Sequence, residues 1–224
     1  MAIERETPVF IEGKPLTDIW APPGLRWRAR LSEAIGRPLL HPYLRFVRND
    51  RNPFDLDNLV YPVLAVSGCG ACASIWATVS AGPTEGVWID EAIPPPPPAS
   101  SSTVTVRIEQ PSVASVAGRQ PPPELRHVKE VAPGSPLGLS LAFDAPEVAV
   151  GEMSWEGPTK SLIDDLGPLL GTRLYRGRSV SNDQRVKELR ITRGHAPGGR
   201  GVVVTAWALE GGPQPGANLA HRAG

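Results

Sequence analysis

The sequence predicts an α+β fold made of two similar lobes. Each half of the 224-residue chain opens on a strand, continues through a second strand and a helix, and closes on two strands joined by a glycine-containing turn. A run of five prolines, Pro94 to Pro98, separates the halves. A chain of this length suits two lobes near the smaller end of normal domain sizes, each able to bury a modest core.

The first half has strand patterns on both sides of an acidic segment. Predicted strands cover 8–13, 43–47, 74–79 and 86–90, with a proline-rich irregular stretch after the first. The acidic segment is Asp55-Leu-Asp-Asn-Leu-Val60. In an extended chain, Asp55 and Asp57 would share one face and could hold a divalent cation, and Asp57 or Asn58 would cap the helix that follows. The alternative is that these residues form only a turn and a helix cap.

The second half has the same order of elements. Its predicted strands cover 103–109, 138–143, 186–192 and 201–209, and its helix covers 158–171. A proline-rich stretch again follows the opening strand. Both halves therefore predict a small sheet with a helix between the second and third strands.

The acidic segment resembles the central motif of the RusA-like Holliday-junction resolvases, small Mg-dependent endonucleases that act as dimers. The family pattern is D-x-D-N-x-x-K, then an apolar helix, then D-D-x-x-V at the start of a strand. Asp55, Asp57 and Asn58 match the first part. Tyr61 stands at the lysine position, however, and 67–74 contains no acidic residue.

The missing parts of the motif recur in the second half. Lys160 stands at the lysine position of the second helix, and Asp183 stands at the second acidic position of Asn182-Asp-Gln-Arg-Val186. Where D-x-D-N is expected, the second half keeps only Glu156 as a possible ligand. The two halves keep complementary parts, which predicts an internal duplication. The resemblance thus implies two RusA-like repeats, each a small mixed β-sheet with one or two helices, that form a pseudo-dimer.

The expected organisation follows from this duplication. Residues 1–93 form the first repeat, 94–102 a Pro/Ser linker, 103–210 the second repeat and 211–224 a disordered tail. Whether the fused chain dimerises again stays open.

The resemblance implies a Mg-dependent endodeoxyribonuclease that acts on branched DNA in recombination or repair. Its catalytic residues would be Asp55, Asp57, Lys160 and Asp183. The three aspartates would hold Mg²⁺, with Mn²⁺ as a substitute. In the family dimer each site is expected to be self-contained. Here the parts of the motif are divided between the halves, so a complete site would form only if the two half-sites meet. The alternative is a catalytically decayed RusA-like module that binds DNA, or serves as a scaffold, without cleavage.

The charge distribution favours a DNA partner although the net charge is zero. Arginines concentrate between 26 and 51 and between 173 and 200, next to the motif segments, and arginine suits forked contacts to phosphate. The expected contacts with branched or duplex DNA are Arg26, Arg28, Arg45, Arg48, Arg51, Arg176, Arg178 and Arg185. The alternative is that these arginines form solvated faces balanced by acids elsewhere.

Other function classes have little support in the sequence. No apolar run approaches the roughly 20 residues of a membrane span, and no signal sequence is recognisable, which predicts a soluble, cytoplasmic protein without a membrane partner. Cys69 and Cys72 form a lone C-x-x-C without a second ligand pair, and are expected to be reduced residues of a turn. The chain has no G-x-S-x-G, P-loop or H-E-x-x-H motif.

Overall fold

The computed structural model describes residues 8–13, 22–35, 39–49, 55–66, 72–100, 102–109, 121–145, 156–195 and 201–210. The helices and strands of these residues are β1 (Val9–Glu12), α1 (Pro22–Ile35), β2 (Pro42–Arg48), α2 (Leu56–Val66), β3 (Ser74–Ala81), β4 (Gly86–Glu91), β5 (Val104–Ile108), β6 (Leu137–Ala145), α3 (Glu156–Asp165), α4 (Gly167–Leu170), β7 (Thr172–Tyr175), β8 (Arg178–Ser181), β9 (Val186–His195) and β10 (Val202–Ala208). The predicted α+β class is confirmed, with one large mixed sheet and few helices. Within the described part of the chain, no helix is both long and apolar enough to cross a membrane.

The main sheet has eight strands in the order β1-β4-β2-β3-β9-β6-β10-β5. The pairs β2–β3 and β6–β9 are parallel, and their connections contain α2 and the pair α3 and α4 respectively. The other pairs in this sheet are antiparallel. Strands β3 and β9 join the two halves at the centre, where Ser74 pairs with Thr192 and Thr78 with Glu188.

From either edge to the centre, the sheet contains the first, last, second and third main-sheet strands of one half of the chain, in that order. The first half contributes β1-β4-β2-β3 and the second contributes β5-β10-β6-β9. The parallel and antiparallel pairings correspond as well. Segments that correspond in the two halves of the sequence therefore occupy corresponding positions in the sheet.

One hydrophobic core extends through both halves. In β2 the alternation of apolar and polar residues buries Leu44 and Phe46 completely and turns Arg45 to the other face. At the centre, the register partners Ile75 and Ile191 both belong to the core. The halves thus share buried surface as well as strand pairing.

The prediction of an irregular stretch after β1 is wrong, because α1 forms there. Trp27 and Leu31, four residues apart, lie on one face of this helix and are buried. Pro22 and Pro23 are in the first turn, where the missing N–H groups would have no partner within the helix. Prolines that suggested irregular structure therefore begin a helix.

The predicted helix over 158–171 is divided in the structure. Helix α3 ends at Asp165, and the short α4 follows from Gly167 to Leu170. Pro168 explains the break, because it lacks the N–H group that a continuous helix requires and restricts the residue before it.

The hairpin of β7 and β8 was not predicted. It forms a two-stranded sheet of its own between α4 and β9. Its turn residues Arg176 and Gly177 have positive φ angles of 49° and 77°. Two-residue turns with this backbone match the twist of paired strands and favour glycine.

The proline run, Pro94 to Pro98, lies between β4 and β5 and has no regular secondary structure. Arg190 of β9 donates hydrogen bonds from Nη1 to the carbonyl oxygens of Pro95 and Pro96, at 2.8 and 2.7 Å. These contacts hold the run against the sheet. The predicted disordered tail, 211–224, lies outside the described residues.

Of the two cysteines, only Cys72 lies within the described residues. It is buried, and its thiol donates a hydrogen bond to the carbonyl oxygen of Leu39 at 3.2 Å.

Candidate metal centre

The acidic segment of the first half forms the beginning of α2. Asp55 directly precedes this helix and Asp57 lies in its first turn. The amide Nδ2 of Asn58 donates to Asp55 Oδ2 at 3.2 Å, and the backbone N–H of Asn58 donates to the Asp55 carbonyl oxygen at 3.1 Å. The helix therefore begins earlier than predicted: Asp57 and Asn58 lie inside its first turn and do not cap it.

The third carboxylate comes from the second half of the chain. Asp183 begins a short 3₁₀ turn, Asp183–Arg185, directly before β9, and it is buried. Helix α2 packs against β9, which brings Asp183 to Asp55 and Asp57. One oxygen from each of the three carboxylates lies within 4.8 Å of the others. The half-sites predicted from the two motifs thus lie together in the fold.

Two cations face these carboxylates. Lys160 of α3 donates from Nζ to Asp57 Oδ2 at 3.0 Å. Arg173 of β7 lies between the other two, with Nη2 3.6 Å from Asp55 Oδ2 and 3.5 Å from Asp183 Oδ1. Within the described residues, these three carboxylates and two cations leave one excess negative charge when all five are ionised.

Two buried carboxylate oxygens of the cluster have no hydrogen-bond partner among the residues that the structure describes. They are Asp55 Oδ1 and Asp57 Oδ1. The side chains of Asp57 and Asp183 are each only 7% exposed. Buried anionic oxygens without partners are costly, and Mg²⁺ and Mn²⁺ prefer oxygen ligands of this kind. The residues present therefore fit a divalent cation.

Burial and mutual repulsion keep the cluster from being fully ionised. Burial, followed by the charges of Asp55 and Asp57, raises the pKa of Asp183 to about 7, although Arg173 and Lys160 act in the opposite direction. Burial and the nearby Asp57 also raise the pKa of Asp55 above its ordinary value. Near neutral pH, Asp183 is therefore partly protonated, and a bound cation would displace that proton.

Lys160 remains positively charged at neutral pH. Burial lowers the pKa of Lys160, but the charges of Asp57 and Asp164 outweigh burial and leave its pKa above the ordinary value. The amine is therefore a cation and a proton donor, and cannot serve as a base at this pH.

We expect the stabilisation of the protein by Mg²⁺ to increase as the pH rises through about 7. Between the ordinary pKa of 3.8 and the raised value, the folded protein binds more protons at Asp183 than the unfolded chain does. The stability of the metal-free protein therefore falls as the pH rises through this window, while competition between metal and proton weakens. Thermal unfolding with and without millimolar MgCl₂, at about pH 6 and about pH 8, measures both effects. An equal Mg²⁺ effect at both pH values would contradict the assignment.

The arginines expected to contact DNA divide into two groups. Arg26 on α1 and Arg176 and Arg178 on the β7–β8 hairpin are exposed, and Arg28 and Arg45 are half-buried. Arg51 lies outside the described residues. The exposed members can reach a polyanion, whereas Arg45 lies over the rings of Tyr43 and Trp88.

Arg48 and Arg185 are buried, contrary to the expectation that they contact DNA. Arg48 Nε lies 3.5 Å from Glu85 Oε1. Arg185 donates hydrogen bonds to one carboxylate and four backbone carbonyl oxygens, those of Glu130, Leu170, Val131, Ala132 and Ser135. Its donors therefore hold the segment before β6 in place and are not available to phosphate.

Arg173 is the member of the cluster that the sequence analysis did not single out. It was counted only as part of a basic stretch. The sequence contained one indication of an additional element at this position. The segment between the helix and the next strand is longer in the second half than in the first, and Arg173 lies in the longer segment.

Comparisons with known proteins identify no relative. No protein-family model matches the chain, and no curated protein or solved structure matches it.

Proposed function

We propose that this protein is a Mg-dependent endodeoxyribonuclease that acts on branched DNA, built from two RusA-like repeats fused into a pseudo-dimer. The observation that carries the proposal is the convergence of Asp55 and Asp57 from one half with Lys160 and Asp183 from the other. Each half supplies the parts of the motif that the other lacks. One composite centre therefore contains the acidic pair, the lysine and the second acid of the D-D-x-x-V pattern, with Asn182 at the position of the first.

The sheet supports the fused-repeat part of the proposal. Strands at equivalent positions in the two halves have the same neighbours and the same pairing direction. The central β3–β9 pair would then correspond to the interface between two subunits of a homodimer.

The chain's own residues have separate roles in this centre. Asp55, Asp57 and Asp183 would hold the cation, and Asn58 keeps Asp55 oriented. A bound Mg²⁺ would activate a water molecule and offset negative charge on the scissile phosphate. Lys160 is protonated and 49% exposed, so it can turn to the leaving oxygen and donate a proton or positive charge. Arg173 reduces the repulsion between Asp55 and Asp183.

DNA as the partner is supported by the arginines around the centre. Arg176 and Arg178 are exposed on the same hairpin that carries Arg173. Their charge lies next to the carboxylate cluster although the whole chain has no net charge. A polyanionic substrate would be attracted to this side of the molecule.

A catalytically decayed module that binds DNA without cleavage, or a scaffold, is the second candidate. The ion pairs favour it, because Lys160 and Arg173 by themselves contact all three carboxylates. Such a network could serve stability alone. The module predicts salt-sensitive DNA binding with no dependence on divalent cations.

A labelled four-way DNA junction incubated with Mg²⁺ or Mn²⁺ tests the proposal, with retention and nicking scored on the same gel. We expect Asp57→Asn and Asp183→Asn each to reduce nicking at least about 10³-fold, because the metal contributes several kcal/mol to transition-state stabilisation. Asp90→Asn is the matched control, since Asp90 lies on β4, accepts a hydrogen bond from the backbone N–H of Glu91 and is not part of the cluster.

The outcomes separate the candidates. Nicking that is lost in both cluster variants and kept in the control supports a composite centre. Loss with Asp57→Asn alone would place the chemistry in the first half. Binding without nicking would favour the decayed module. The absence of both binding and nicking would exclude a DNA function.

A further inference from the structure

We propose that the β7–β8 hairpin recognises the branch point of the DNA substrate by stacking Tyr175 against a base that unstacks there, with Leu174 on the opposite face of the same strand. This inference rests on the proposed nuclease function and goes beyond it, because it assigns the preference for branched over linear DNA to one element.

The hairpin lies in an interval that is longer than the equivalent one in the first half of the chain. In the second half, 171–185 separates the helix from the strand that follows it, and the hairpin lies within this segment. In the first half only 67–73 occupies the equivalent interval. The inserted residues form a separate two-stranded sheet, in which Thr172 pairs with Ser181 and Tyr175 with Arg178.

The end of the hairpin presents large apolar side chains to solvent. Leu174 is 80% exposed and Tyr175 is 52% exposed. Both precede the tight turn at Arg176 and Gly177, so their positions are fixed by strand pairing. Successive strand residues face opposite sides, so each face of the hairpin end presents one large exposed side chain, and Tyr175 shares its face with Arg173.

Cations surround the Tyr175 ring. The guanidinium carbons of Arg173 and Arg176 lie 5.6 and 5.4 Å from its centroid. Arg178, the strand partner of Tyr175, is exposed. An exposed aromatic ring with arginines beside it is suited to a ligand that combines flat rings with phosphates, and a DNA strand with an unstacked base is such a ligand.

Arg173 connects this surface to the candidate metal centre. The same guanidinium group that lies near the Tyr175 ring also faces Asp55 Oδ2 and Asp183 Oδ1, at 3.6 and 3.5 Å. A base stacked on Tyr175 would therefore lie close to the phosphate that the centre attacks. Stacking is continuous inside a linear duplex and is interrupted at a branch point, where base pairs open more easily, so the contact would favour a branch point over a duplex.

The test uses the full chain with a Leu174→Ala/Tyr175→Ala double variant. A Leu40→Ala/Ile93→Ala double variant is the control, because these residues are also large, apolar and exposed, at 53% and 72%, and belong to neither the hairpin nor the cluster. The probe is a four-way junction with 2-aminopurine at the branch point, next to a linear duplex with 2-aminopurine in its centre. Ca²⁺ replaces Mg²⁺ so that the DNA is bound but not cleaved.

We expect the wild type and the control to change the 2-aminopurine fluorescence of the junction and not that of the duplex. The hairpin variant should lose this change and bind the junction about tenfold more weakly, while its binding to the duplex stays nearly the same. Tyr175→Phe, which keeps the aromatic ring, should behave as the wild type does. Because the side chains are exposed, the thermal unfolding midpoint should hardly change.

The results that would contradict the inference can be told apart from one another. If the wild type nicks the junction and the hairpin variant gives wild-type fluorescence and affinity, the inference is wrong and the nuclease function stands. Equal weakening on junction and duplex would make the hairpin a general DNA contact. If the hairpin variant without DNA sediments as a smaller species than the wild type does, the hairpin is a protein–protein contact instead. No binding of the wild type to any DNA would remove the proposed function and this inference together.

Discussion

Replacement of Asp183 by asparagine is expected to stabilise the metal-free protein and to abolish its stabilisation by Mg²⁺. The wild-type side chain is buried beside Asp55 and Asp57, and these surroundings raise its pKa to about 7. Above that pH the folded protein must keep a third negative charge in the cluster. Asparagine has nearly the same shape and removes this charge, so the free energy of unfolding should rise by roughly 1–2 kcal/mol, or about 2–8 °C in Tm for a chain of this size.

The loss of metal binding should accompany this gain in stability. With one of three ligands neutralised, Mg²⁺ affinity should fall at least about 100-fold, so millimolar MgCl₂ should no longer raise Tm. Calorimetry or thermal unfolding at about pH 8, in EDTA and in MgCl₂, measures both parts. Asp90→Asn should leave both unchanged.

Two results would contradict this account. A metal-free Asp183→Asn protein less stable than the wild type would mean that the ion pair with Arg173 matters more than the repulsion. A normal Mg²⁺ response in the variant would remove Asp183 from the ligand set. Both readouts are independent of DNA, so they test the metal centre even if the substrate has been assigned incorrectly.

The second large effect concerns the number of strands cut. We expect the protein to convert a supercoiled plasmid with an extruded cruciform to nicked circles, and not directly to linear molecules. Cutting both strands in one binding event requires two centres, and the described residues of this chain supply one cluster of three carboxylates with a lysine.

The positions related by the proposed repeat explain this expectation. The described centre lies at the end of the sheet where β2 ends and β9 begins. The equivalent location is at the opposite end, where β6 ends and β3 begins. There the sequence offers Glu156 at the acidic segment, Tyr61 in place of the lysine, and no acid in 67–73. One carboxylate without a lysine cannot reproduce the chemistry.

The plasmid assay also measures whether two chains act together. Nicked circles at every protein concentration would indicate a single centre acting alone. Linear product that increases steeply with protein concentration would indicate that a second copy supplies the second centre. Linear product formed from the start at low concentration would contradict a single centre per chain.

Much of the fold could be predicted because strand patterns depend on near neighbours. The alternation in 43–47 and 138–143 predicts β2 and β6, and it follows from the requirement that one face of the sheet be buried. Helix α1 was not predicted, because prolines in a first turn look the same in the sequence as prolines in a loop. The hairpin of β7 and β8 was missed for a related reason. Its strands have four residues each, too few for a clear pattern.

By itself the sequence determined the residue types of the candidate centre and their division between the halves. Asp55 and Asp57 before one helix, Lys160 in the other and Asp183 before a strand are all local features. Whether these residues meet depends on the pairing of β3 with β9 and on the packing of α2 against β9, both of which join distant parts of the chain.

Only the tertiary structure decided which charged residues belong to the centre. Arg173 enters it and Arg185 does not, although both lie in the same basic stretch of sequence. The physical reason is burial: Arg185 donates to interior carbonyl oxygens, while Arg173 extends from the hairpin to two carboxylates. The excess negative charge and the unpaired oxygens of Asp55 and Asp57 follow from the same packing, because an acidic residue has an unusual pKa only when the fold takes it out of water and places other charges beside it.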